Sequence, residues 1–366
     1  MSCGYYYPFG TQNNLLLHEF QNLDTKRNIH HALFHFDQEP LWQHDLGQLY
    51  EKQEYAWTTR YLKILANSER SALKSKVLRD RSMADWYFFY HGFAALDWFR
   101  DTRYINTDKP VDHAFLSFNH VLKPPRYYRI DLAARLGERG LLTRGRISLH
   151  CHSADIKQAV DSADHAFTES SRRRILTWLA KDDSLPWYID RIPINGDLSA
   201  RLGNQEFGIW QSALLHVVNE TVFYDLKLHL TEKVFKTIVA KRPFVLVAAP
   251  GNLAYLRSYG FQTFDQWIDE SYDEIEDPDL RLEAIVEQID RISRLNRNQL
   301  CDLQQDMKSV LDHNKQHFFT DFRRKIVDEL VDNFETCIRV WNNGRIDGQE
   351  IAFTIDTDQV KTILLQ

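Results

Sequence analysis

Glu232 and Lys233 stand side by side in the run LTEKVFKTIVAKRPFVLV, residues 230–247. A carboxylate accepts hydrogen bonds from ribose hydroxyls, while an ammonium and the free N–H groups of a helix start hold phosphates. Together at a helix mouth they suit a ligand with both a diol and a diphosphate, such as a nucleotide sugar. Thr231 is the candidate cap of that helix, and Lys236, one turn on, can reach the same phosphates. The helix dipole favours Glu in a first turn and disfavours Lys there, so Lys233 points to an anionic ligand. Arg129 opens an earlier helix against its dipole in the same way. Arg126, just before it, is the alternative for a contact with the donor phosphates. Asn219 and Glu220 end the apolar run 213–218, at the kind of strand end where α/β proteins place ligands.

If chemistry is done on such a ligand with a hydroxyl partner, it needs a base. Asp37 and Glu39 follow the run HALFHF, and either can take a proton from an acceptor hydroxyl; His91, in FFYHGF, is the next candidate. Each of these residues also has a plainer reading as a cap, a turn or a solvated side chain. His150 and His152 flank Cys151, and strand alternation puts the two imidazoles on one face with the thiol on the other, a poor metal cluster. The acidic stretch 269–278 lacks the glycine and closing glutamate of a calcium loop. It reads instead as a helix start, with Asp277 as cap and Pro278 at the first helical position. No metal site is expected.

These residues must be held by alternating strands and helices. Val234, Phe235, Ile238 and Val239 recur at helical spacing, and Pro243 stops that helix. The apolar run 244–249 reads as a strand covered on both faces, as in a parallel sheet. Pro250 and Gly251 turn into a second helix that Gly260 ends. Earlier strand-length runs lie at 32–36, 86–90, 114–118 and 146–150, with helical patterns at 61–66 and 128–136. The expectation is two α/β domains: 1–152 and 205–312, joined by a helical region 153–204, with residues 313–366 packing back on the first domain.

The 366 residues are 43% hydrophobic and 26% charged, an ordinary globular balance. The net charge of -6 gives no general attraction to nucleic acid or anionic lipid. Four cysteines without metal spacing read as reduced thiols. No apolar run reaches spanning length and no secretory leader is legible, so a cytoplasmic protein without a membrane span is expected, in the host cytoplasm if phage-encoded.

The stretch VVNET followed by LHLTEKVFKTIVAKRPFVLV resembles the donor-binding signature of the α1,3/1,4-fucosyltransferases, with Thr231, Glu232, Lys233 and Pro243 matching. That family's glycine before the proline is replaced by Lys241 and Arg242. Upstream, AFLSFN followed by Arg126, Arg129, Leu132 and Leu136 is similar to its strand and Arg-opened helix. A broader resemblance is to uncharacterised phage and bacterial glycosyltransferase-like proteins that share DQEP, TEKxFKxI with RPF, and GFxTFxxxxDESYDxIxDPxxR. These resemblances imply a GT-B fold, two Rossmann-like domains facing a cleft, with C-terminal helices. They imply a glycosyltransferase, hexosyl- or fucosyltransferase-like, inverting and metal-independent, with the nucleotide sugar as co-substrate and no other cofactor. The acceptor stays open between a glycan, a protein and a modified nucleic acid. The alternatives are a non-catalytic binding or structural protein on a degenerate scaffold, and a phage DNA-base glycosyltransferase.

Overall fold

A computed structural model describes residues 32–35, 62–68, 70–80, 84–105, 111–123, 125–162, 167–181, 184–189, 204–342 and 356–365. The protein is mixed α/β, with C-terminal helices. It divides into two compact units, one formed by residues 1–93 with 323–366 and the other by residues 94–322.

The first unit begins with β1 (Ala32–His35), β2 (Leu62–Asn67), α1 (Ala72–Asp80) and β3 (Ala84–Tyr87). The three strands form a parallel sheet in the order β1-β2-β3. Residues 61–66, expected to be helical, therefore lie mostly in a strand. LKILAN is too short for a helix to arbitrate its own pattern, and its Leu, Ile and Ala fit alternation as well as helical spacing. The run 86–90 is a strand only to Tyr87, and α2 (Tyr90–Trp98) starts within it.

In the second unit β4 (His113–Ser117), α3 (Tyr128–Glu138) and β5 (Arg146–Ile147) are followed by α4 (Ser153–Ser162), α5 (Glu169–Leu179) and α6 (Asn204–Gln211). Then come β6 (Ala213–Asn219), α7 (Glu232–Val239), β7 (Phe244–Val247), α8 (Asn252–Ser258), α9 (Pro278–Ser293), α10 (Arg297–Asp306) and α11 (Lys308–Phe319). The sheet is parallel, in the order β5-β4-β6-β7. β4 pairs with β6 from His113 opposite Ala213 to Ser117 opposite Val217. One sheet thus joins segments expected to lie in separate domains, and the expected boundaries near 152 and 205 fall inside a single unit. The physical reason is that β4 and β6 are each apolar on both faces and complete one another's hydrogen-bond ladders. Every residue of β6 and β7 is buried.

The packing of α7 follows from its sequence. Phe235, fully buried, meets Phe318 at 5.6 Å and Phe322 at 5.2 Å between ring centroids, fastening the helix to α11 and the residues just beyond it. The helix ends at Lys241, which adopts φ 53°, the left-handed region that favours glycine. Its Nζ pairs with Asp312 of α11. Asp277 caps α9 as expected, its Oδ1 accepting from the amides of Asp279 and Leu280 at 2.9 Å each, with Pro278 at the helix start. Helices α3, α5 and α9 are laced together by charge. Arg135 bonds Asp131, Asp279 and Glu283; Arg174 reaches Asp131 at 2.7 Å; Arg139 reaches Glu283.

The chain then returns to the first unit through α12 (Asp321–Asn342) and α13 (Thr357–Leu365). Asn333 Nδ2 donates to the Tyr87 carbonyl at 2.8 Å, and Phe334 lies 4.7 Å from the Trp86 ring, so α12 is tied to β3.

Candidate functional site

The connection from β4 through α3 to β5 steps one way across the second-unit sheet. Strands β6 and β7 lie on the other side of β4. Strand order therefore reverses between β4 and β6, and the crevice beyond their carboxyl ends is where open α/β sheets bind ligands. Arg126, Arg129, Asn219, Glu220, Thr231, Glu232, Lys233 and Lys236 all belong to this unit.

Glu220 follows directly on β6 and is fully buried. Its Oε1 accepts from the Thr231 amide at 3.1 Å and its Oε2 from the Thr231 hydroxyl. The carboxylate of the strand end thereby fixes the start of α7. Thr231 is the residue before the helix, but its hydroxyl faces Glu220 and makes no cap hydrogen bond to the helix, unlike the side-chain cap that its type suggests. Burial pushes the Glu220 carboxyl above the usual carboxylate range, against the pull of Lys233 and the Thr231 hydrogen bonds.

Lys233 Nζ donates to the Thr231 hydroxyl oxygen at 2.8 Å and lies 3.2 Å from Glu232 Oε1. Its side chain keeps 31% of its exposure, against 8% for Glu232. The ammonium is folded back over the helix start, with its dipole-disfavoured charge held by two oxygen partners. Lys236 is buried, with Nζ 5.8 Å from the Trp210 ring centroid and 5.9 Å from that of Phe99. Its amine is directed to an aromatic environment one turn inside the helix.

Arg129 is buried, and its guanidinium is engaged by backbone. Nη2 donates to the Asn219 carbonyl at 2.9 Å and lies 3.4 Å from that of Glu220, while Nη1 donates to the Val121 carbonyl at 3.1 Å. Arg129 thus joins the end of β6 to the loop after β4 within one unit. Tyr128 adds a hydrogen bond from its hydroxyl to the Glu220 carbonyl, and its ring stacks 4.4 Å from Phe223. Arg126, on the preceding loop, is only half-buried, unlike Arg129.

Two residues at the same edge, Ser117 and Asn119, were not singled out from the sequence, and they meet Asn219, which was. Ser117 Oγ, at the end of β4, accepts from Asn119 Nδ2 at 3.1 Å and from Asn219 Nδ2 at 2.9 Å. The only signal was the polar ending of AFLSFN; their meeting requires β4 and β6 to be neighbours. Next to them His120 stacks on His150 at 4.4 Å. The alternation expected through residues 146–152 stops with β5 at Ile147. Among the described residues no group of three metal-ligating side chains occurs. His91, in the first unit, is buried at the start of α2, with its ring edge-on to Tyr90 at 5.4 Å. Asp37 and Glu39 lie outside the described residues.

No helix among the described residues is long and apolar enough to cross a membrane. Comparison of the chain with models of known families, with characterised proteins and with solved structures finds no match.

Proposed function

We propose that the protein is a glycosyltransferase of the GT-B type that uses a nucleotide-sugar donor. The observation that carries this reading is the position of Lys233, a partly exposed side chain whose ammonium lies over the start of α7 beside the crevice between β4 and β6. An ammonium, a helix start and an adjacent carboxylate together match a diphosphate joined to a diol. In the proposed reaction the anomeric carbon–oxygen bond to the diphosphate breaks as the acceptor oxygen forms its bond from the opposite face. The acceptor proton passes to a carboxylate, Asp37 or Glu39, with His91 as the other candidate base. Lys233, helped by Arg126, neutralises the charge that develops on the departing diphosphate, and such stabilisation is a major source of rate enhancement. Arg129 has a positioning role, holding the end of β6 against the loop after β4.

One observation favours a second reading. Arg129 is engaged by three carbonyls, which suits a binding protein on a transferase scaffold as well as an enzyme. Thermal-shift titration with UDP-, GDP-, ADP-, dTDP- and CMP-sugars tests the donor reading, since a ligand of the native state raises its apparent stability. One donor is expected to raise the melting temperature, and Lys233→Ala is expected to abolish most of that rise. Donor hydrolysis by the wild type then separates an enzyme from a scaffold. A donor shift that survives in the lysine variant removes the reading.

A further inference from the structure

We infer that Ser117, Asn119 and Asn219 form a hydroxyl-recognition site in the crevice between β4 and β6, built to take a vicinal diol of a sugar or ribose. Asn119 is fully buried and Asn219 is 3% exposed. Each directs Nδ2 at the one hydroxyl oxygen of Ser117. Each leaves its buried Oδ1 without a hydrogen-bond partner among the described residues. An unmade hydrogen bond on a buried amide is costly, so two at one spot need a reason.

The arrangement is rigid. Asn119 is anchored by its own amide, which donates to Ser148 Oγ at 3.1 Å, and by its carbonyl, which accepts from the His150 amide at 3.2 Å. Asn219 is anchored by Arg129 on its carbonyl. Two buried amide ends are therefore held in a fixed frame with an oxygen unpartnered on each, beside the place where the strand order reverses.

The chemistry selects the ligand. All three side chains are neutral, and the unpartnered atoms are acceptors, which repel phosphate oxygens. Ser117 has a single hydroxyl proton yet accepts from two amides. Turning either amide over would let that proton be donated and would leave an NH2 group, in place of an oxygen, to be satisfied. A hydroxyl both donates and accepts, so it satisfies either arrangement. Two amide ends anchored on one oxygen suit two neighbouring hydroxyls. Asn219 and Glu220 are consecutive, and Glu220 holds the residue before α7, so the diol site and the cation at Lys233 flank the same strand end. Assigning the diol to a nucleotide sugar rests on the reading above; recognition of the diol itself does not.

The test follows the side-chain NH2 signals of Asn119 and Asn219 by nitrogen-15 NMR in the wild-type chain. They are assigned with Asn119→Ala and Asn219→Ala, and the probes are UDP, GDP, UDP-glucose, GDP-mannose, ribose and methyl glucoside. A polyol-bearing probe is expected to move both signals, and each alanine variant that folds is expected to bind that probe about three- to tenfold more weakly. Loss with UDP or GDP alone assigns the diol to ribose; loss only with the nucleotide sugars assigns it to the transferred sugar. If ribose or the glucoside moves the signals while no nucleotide binds, the diol site stands and the donor reading falls. If a nucleotide sugar binds in a Lys233-dependent way and the asparagine signals stay still, the donor reading stands and the diol site falls. Signals unmoved by every probe, or variants with wild-type affinity, overturn the inference.

Discussion

The charged residues of the candidate site differ in what they are free to do. Lys233 has exposed surface; Arg129 does not, and its partners are backbone carbonyls. Arg129→Ala is thus expected to act first on stability. It leaves buried acceptors unmet and should cost at least about 2 kcal/mol in urea unfolding. Arg126→Ala, at a half-buried side chain, should cost less stability than that and lower donor affinity. Equal effects of the two on stability would contradict this division. A pH dependence belongs to His216 on β6. Its Nε2 donates to the Trp210 carbonyl at 2.7 Å, and burial, assisted by Arg242, lowers its pKa from 6.5 to about 3. The unfolded chain takes up this proton near 6.5 and the folded chain does not. The contribution of His216 is therefore complete above pH 6.5 and is lost as pH falls toward about 3, at roughly 1.4 kcal/mol per pH unit within that window. Urea unfolding between pH 7.5 and 5 should show this slope, and His216→Asn should flatten it.

At the scale of elements, α7 is the piece that must not move, because it carries Glu232 and Lys233. Its anchor is Phe235 among the rings of Phe261, Phe318 and Phe322. Phe235→Ala is expected to cost about 3–5 kcal/mol in denaturant unfolding, and Asp277→Ala, which removes only the cap of α9, about 1 kcal/mol. A similar cost for both would mean that the aromatic cluster does not hold the helix. These two elements were also the most legible in the sequence. α7 announces itself by Val234, Phe235, Ile238 and Val239 on one face, and α9 by Asp277 and Pro278 at its start. Local spacing carries both signals. Residues 61–66 were misread because six apolar-rich residues do not distinguish a strand from a helix. The diol site escaped notice because Ser117 and Asn219 are 102 residues apart and meet only through strand pairing. The engagement of Arg129 was hidden for the same reason, since backbone acceptors leave no mark in a side-chain pattern.

At the scale of the whole molecule, the division into units does not follow the apparent two halves of the sequence. Alternation of strands and helices was legible, but which strands share a sheet was not, because β4 and β6 read alike as apolar runs. Residues 94–322 contain a complete parallel sheet with its covering helices. A fragment of these residues, extended to 90 at its start and to 342 at its end to complete α2 and α12, is expected to unfold cooperatively and to show dispersed NMR signals. It is also expected to retain the donor-dependent thermal shift, because every candidate donor-binding residue lies within it. A fragment that is folded but gives no shift would place essential donor contacts in the first unit.

The first unit takes strands from early in the chain and a helix from its end, since α12 supplies Asn333 and Phe334 to β3. On the ribosome this inverts the usual order of maturation. The segment made first must wait, with part of its apolar surface uncovered, until residues 323–366 have emerged, while residues 94–322 can fold in the interval. The strands made before residues 94–322 are then sheltered after them, and the nascent chain's dependence on chaperones should be greatest over that stretch of synthesis.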